Sequence, residues 1–194
     1  MDDAFETYEL LAGDAPNWLE QAKGLRLSAD VIYAALQEII PLSQTLPGIR
    51  EKKLAYVQSF MFLTAAAFEN LLKSIAVAEH PKGWERLNSD SGHGISDFAR
   101  AVIQLSDAES NLLQRLQEYL IWAGRYTIAT TPTRYASRRH LCTLRSTDYV
   151  LIGELFDRLS EVLSARLGKT SNQAMQRTAG RPYALALRVC KRHL

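Results

Sequence analysis

The chain has 194 residues, 47% of them apolar, which is enough to bury one sizeable core and makes a single domain the default. Its net charge of +2 is set by the end of the chain. Residues 169–194 carry six Lys and Arg and no carboxylate, so residues 1–168 are left at −4 and any polyanion binding must use a local patch. Cys142 and Cys190 stand far apart with no CxxC or Cys/His spacing, which excludes a recognisable zinc site and calls for no disulfide.

The N-terminal MDDAFETYE is acidic and lacks the apolar segment of a signal peptide. Behind Pro16, the positions Trp18, Ala22, Leu25, Ala29, Ile32, Leu36 and Ile39 alternate steps of four and three. This predicts a long amphipathic helix ending before Pro41. A second helix is predicted from Glu51 to Glu79, with Leu54, Val57, Met61, Thr64, Phe68, Leu71 and Ile75 on one side. Phe60, Ala67 and Leu72 widen that side, as in a helix with neighbours around much of its circumference. Its most apolar run, Phe60 to Leu72, is interrupted by Thr64, Glu69 and Asn70 and reads as too polar and too short for a bilayer span.

A short helix is predicted over Ile95 to Gln104. The next one opens on a capping box, Ser106 with Glu109, and carries Leu112, Leu113, Leu116, Leu120 and Ala123 on one face. It delivers Gly124-Arg125-Tyr126, and residues 127–145 add Arg134, Arg138, Arg139 and Arg145 without an acidic residue. Residues 127–146 read as irregular. The last predicted helix starts near Ser146 or Thr147, uses Val150, Leu151, Leu155, Phe156, Leu159, Val162 and Leu163, and is expected to stop at Gly168. No stretch alternates with period two beside hairpin turn signals. The expected fold is therefore all-α, an antiparallel bundle of about five helices over residues 1–168. Residues 169–194 are expected to form a basic, disordered tail.

Three segments in this order and spacing, FLTAAAFENLLKSIAV (Phe62 to Val77), GHGISDFARAV (Gly92 to Val102) and YLIWAGRYTI (Tyr119 to Ile128), resemble bacterial HEPN-domain proteins. HEPN stands for higher eukaryotes and prokaryotes nucleotide-binding. The resemblance covers about residues 16–167 and implies an all-α, often dimeric bundle that binds nucleotide or RNA. It also implies toxin–antitoxin or phage-defence settings, with a small nucleotidyltransferase as partner. The sparse cysteines, the acidic N-terminus and the interrupted apolar run lead instead to the expectation of a cytoplasmic protein with no membrane contact, and the residues offer no cofactor motif.

In ribonuclease members of the family, Arg is followed by four to six residues and then His, and cleavage is metal-independent through the RNA 2′-hydroxyl. Such an endoribonuclease is the enzyme class that the resemblance allows. His is suited to proton transfer near neutral pH and Arg to phosphorane-like charge. Counting from Arg125, the His positions hold Thr130, Thr131 and Pro132. Arg134…His140 matches the spacing and lies in the basic segment, which makes those two the candidate catalytic residues; Arg86…His93 and Arg188…His193 match as well.

The candidate ligand-binding residues are Arg125, Tyr126, His93, Glu69, Arg138 and Arg139. Each has a structural alternative. Arg125 can complement a helix C-terminus and Tyr126 can cap the core, while His93 between two glycines can cap a loop. Glu69 can pair with Lys73 one turn on, or with Arg125 as the family resemblance implies. Arg138 and Arg139 can belong to a solvated loop. The competing reading is a non-catalytic module that docks a protein partner through Trp18, Ile32 and Phe156.

Overall fold

The computed structural model describes residues 3–44, 48–83, 85, 94–125 and 131–179, and among them there is no strand. The helices are α1 (Asp3–Ala12), α2 (Ala15–Ile39), α3 (Ile49–Glu79), α4 (Ile95–Val102), α5 (Asp107–Glu118), α6 (Pro132–Arg138) and α7 (Asp148–Ala179). The fold is all-α, as the apolar periodicity requires. The expected starts and stops of α2, α3, α4 and α5 hold to within about two residues, with α5 continuing as a π-helical segment over Tyr119–Ala123. The capping box at Ser106 forms in both directions: the Ser106 amide donates to Glu109 Oε2 at 2.7 Å, and the Glu109 amide donates to Ser106 Oγ at 3.3 Å.

Contact pairs fix the directions. Ser74 Oγ near the end of α3 donates to the Ala15 carbonyl at the start of α2 at 2.7 Å, and Tyr33 meets Phe60, so α2 and α3 run antiparallel. Phe68 packs edge-on to Phe156 at 5.7 Å, and Glu79 pairs with Arg166, so α7 runs parallel to α3. Arg115 and Glu109 on α5 meet Asp148 and Arg158 on α7, so α5 opposes α7. The four long elements thus alternate in direction along the chain, α2 up, α3 down, α5 up and α7 down.

Helix α3 is the hub, with Phe60, Met61, Ala65, Ala67, Phe68, Leu71, Leu72 and Ile75 without solvent exposure. Contrary to expectation, it is long and apolar enough to cross a bilayer, but 72% of that stretch is buried inside the fold, as in a core helix. Tyr149 docks α7 on α2 by stacking on Tyr33 at 4.0 Å, with the Arg26 guanidinium 5.3 Å from its ring. Burial, and then the Asp30 carboxylate, raise the Tyr149 phenol above its ordinary range.

Three expectations are corrected. Residues 3–12, read only for their charge, form a helix, and residues 132–138, read as irregular, form another. Neither could be found from an apolar stripe: no residue of α6 is buried, and Leu10 and Leu11 of α1 are more than half exposed. The last helix does not stop at Gly168 but continues to Ala179, so residues 169–179 of the expected disordered tail are helical. Gly168 costs a helix about 1 kcal/mol relative to Ala, and the Gln173-Ala174-Met175-Gln176 that follow are good helix formers.

Candidate binding site at the end of helix α5

The site is built where α5 loosens. The π segment places the Gly124 amide on the Tyr119 carbonyl at 3.1 Å, an i to i−5 bond of the kind that π-bulges insert and that is frequent at functional sites. Gly124 is required here by close approach, since a Cβ at this position would lie 2.6 Å from the Cβ of Phe62 on α3. The segment turns Tyr119, Trp122 and Ala123 toward α6 and the 3-10 turn Arg139–Leu141. Together with Leu54 and Gln58 of α3, and with Tyr135, Arg139 and Cys142, they line a cleft of about 210 Å3.

A buried carboxylate ties the lining residue Trp122 to α6. Glu118, 3% exposed, accepts from the Trp122 indole Nε1 at 2.9 Å and from Arg134 Nε and Nη2 at 3.3 and 3.2 Å. Arg138 Nε stands 4.0 Å from the same carboxylate. α6 is anchored by this cluster and not by an apolar face. Its N-terminus is closed by Thr131, whose hydroxyl accepts from the Arg134 amide at 3.2 Å, with Pro132 at the first turn. On the outer side Tyr135 meets Trp122 edge-on at 6.1 Å, and the Arg139 guanidinium lies 5.8 Å from the Tyr135 ring.

A second polar cluster lies beneath. Arg115 and Asp148, both essentially buried, form a bidentate pair: Nη2 donates to Oδ1 at 2.6 Å and Nη1 to Oδ2. Nη1 also donates to the Thr143 carbonyl at 3.0 Å, and Asp148 accepts from the Arg145 amide at 2.7 Å. This pair ties the segment between α6 and α7 to α5. Burial is the main force raising the Tyr119 phenol well above its ordinary range, with Cys142 adding to it. Burial also pushes the Cys142 thiol up to about 11, helped by the Glu118 carboxylate. Neither group ionises near neutral pH, so neither is poised as a nucleophile or base.

The residues singled out in the sequence divide as follows. Arg134 is committed to Glu118, so its fork is held by a buried carboxylate, and Arg138 leans on the same group. His140 lies exposed on the 3-10 turn, and Arg139 is exposed at the cleft. Arg125, also exposed, follows the π segment and donates to the Leu120 carbonyl at 3.5 Å. Glu69 is buried at the other end of α3 from the cleft residues Leu54 and Gln58, with its carboxylate 3.0 Å from Lys73 Nζ, the surface-type i,i+4 pair drawn inward. The same Lys73 lies over the Trp18 ring at 5.0 Å. His93 and Tyr126 lie outside the described residues. Of the residues assigned to a docking face, Phe156 is buried against Phe68, and Trp18 and Ile32 are half-buried. The exposed apolar residues on those helices are instead Leu27, Val31 and Val150.

Glu118, Arg115, Asp148, Tyr135 and Cys142 are the site-forming residues missed in the sequence. Glu118 and Trp122 at i,i+4 offered a local signal. Arg115 and Asp148, 33 residues apart, offered none. Among the described residues no group of three His, Cys, Asp or Glu side chains could hold a metal. Comparison with protein-family models, curated proteins and solved structures gives no match to any of them.

Proposed function

We propose that the chain is a HEPN-like helical domain that binds RNA or nucleotide at the cleft between the end of α5 and α6. The observation that carries this reading is the combination of aromatic walls, Trp122 and Tyr135, with Arg139 at the rim and exposed Arg125 next to it. Single-stranded nucleic acid is recognised by such pairing of stacking surfaces with cations that meet phosphate. The resemblance of the three segments quoted above supports it. So does the run of cations between α5 and α7 that is uninterrupted by carboxylates in sequence.

The reading is of binding without cleavage. Arg134 is held by Glu118, and phosphorane stabilisation needs a fork free to meet developing charge. In this reading the protein works in the cytoplasm as a homodimer, within a toxin–antitoxin or phage-defence system and beside a nucleotidyltransferase. The test is gel-shift titration of a broad RNA panel at low salt. Wild-type protein shifts single-stranded RNA without cutting it. Arg139→Glu or Arg125→Ala loses at least about tenfold in affinity with circular dichroism unchanged. An unshifted panel overturns the proposal.

A second reading, the non-catalytic docking module, rests on one observation: Leu27, Val31 and Val150 are each more than 60% exposed. Charge reversal at Arg138 and Arg139 separates the two. It abolishes RNA binding in the first reading and leaves a helix-mediated complex intact in the second.

A further inference from the structure

Where α2 ends against the start of α3, a cleft of about 330 Å3 opens, shaped by Leu36 of α2 and Ile40 just after it, Lys53 and Val57 of α3, and Leu144 and Arg145 of the segment before α7. Its floor is aliphatic. Leu36 is fully buried, and Val57 and Leu144 are half-buried. Its charged groups are Lys53 and Arg145, with Gln37 and Ser146 as further polar partners, and no carboxylate lines it. Among the described residues neither cation has a carboxylate partner, in contrast to Arg115, Arg134 and Arg158, each of which pairs with a carboxylate within the fold. A neighbouring cleft of about 310 Å3 shares Lys53 and Val57 and adds Arg50, extending the same apolar floor and cationic rim.

The occupant can be narrowed by the kind of surface. The aromatic ring at this cleft, Tyr33, is already stacked on Tyr149 at 4.0 Å and tilted against Phe60 at 5.0 Å, so its faces serve the fold and not a planar ligand. What remains is aliphatic surface beside two cations. Arg presents a planar donor fork that suits carboxylate and phosphate oxygens, and Lys adds a point charge. Volumes from about 300 Å3 upward are those of small-molecule sites.

We propose that this cleft binds a small amphipathic anion, its carboxylate or phosphate headgroup held by Lys53 and Arg145 and its alkyl body lying on Leu36, Ile40, Val57 and Leu144. The main cleft shares no lining residue with the aromatic cleft beside α6, and only its extension at Arg50 reaches Leu54, which lines both; the proposal does not rest on RNA binding.

Calorimetric titration of the full chain with octyl phosphate, octanoate, octanol, inorganic phosphate and AMP tests it. The expected result is saturable binding of octyl phosphate or octanoate, the stronger of the two identifying the headgroup. Octanol and inorganic phosphate, each lacking one half of the ligand, bind at least about tenfold more weakly. Lys53→Gln and Arg145→Gln each weaken the amphiphile by about tenfold, the loss of one charge-assisted contact, and Lys53→Gln leaves RNA binding unchanged. Neither side chain takes part in an internal ion pair, and the bond from the Arg145 amide to Asp148 is a backbone hydrogen bond that the substitution keeps; circular dichroism checks that each variant folds. The proposal is overturned if neither amphiphile saturates, if octanol or inorganic phosphate binds as well, if both variants retain full affinity, or if AMP displaces the bound amphiphile.

Discussion

The carboxylate of Glu118 accepts from an indole and an arginine fork while its own side chain is 4% exposed, so it ties α6 to the end of α5. Glu118→Ala strands the Trp122 donor and releases Arg134, and should lower the unfolding free energy in urea by about 1–3 kcal/mol. The loss stays at that level because Arg134 is one-third exposed and can turn to water. An unchanged midpoint would refute the anchoring role. Cys142 makes a second prediction. Its thiol is raised from the ordinary 9 to about 11, so in a Cys190→Ser background its alkylation by iodoacetamide should be slow at pH 8 and accelerate toward pH 11. The folded state holds the thiol protonated. Its contribution to stability is therefore full below about pH 9 and is lost as pH rises through about 11. Rapid labelling at pH 8 would contradict the burial. At this scale Arg125 and Arg139 were legible in the sequence as exposed cations, whereas Glu118's role was not, because a carboxylate in a helix normally faces water.

Elements in this molecule are fixed by two different forces, and the distinction decides which could be read in advance. α2, α3, α5 and α7 bury apolar stripes, and the stripe is written in the sequence at helical period. α6 buries no residue and is held by Thr131, Pro132 and the Glu118 ion pair, signals with no period to detect. The close approach of Gly124 to Phe62, which leaves no room for a Cβ, is likewise a tertiary contact. Gly124→Ala should therefore force the end of α5 off α3, with a cost of about 1–3 kcal/mol read by thermal or urea unfolding. Asp148→Asn leaves Arg115 buried without its counter-charge and should cost about 3–5 kcal/mol, more than any single surface change in α7. If Asp148→Asn is neutral, the segment between α6 and α7 is not held by that pair.

For the whole molecule, the alternation of α2, α3, α5 and α7 around a central α3 concentrates stability on the inward faces. Phe156→Ala should cost about 3–5 kcal/mol through the cavity left against Phe68, while Val150→Ala, six residues earlier and 62% exposed, should stay within about 0.5 kcal/mol. Comparable losses at both positions would mean that α7 does not present these faces. The amino-acid sequence by itself determined the all-α class, the extents of α2, α3, α4 and α5, and the capping box, because helix period and cap chemistry are local properties of the chain. Only the tertiary structure decided which cations are spent on internal carboxylates, as Arg134 and Arg115 are, and which stand at clefts, as Arg139, Arg145 and Lys53 do. Charge pairing acts through space between residues tens of positions apart, and no spacing along the chain encodes it.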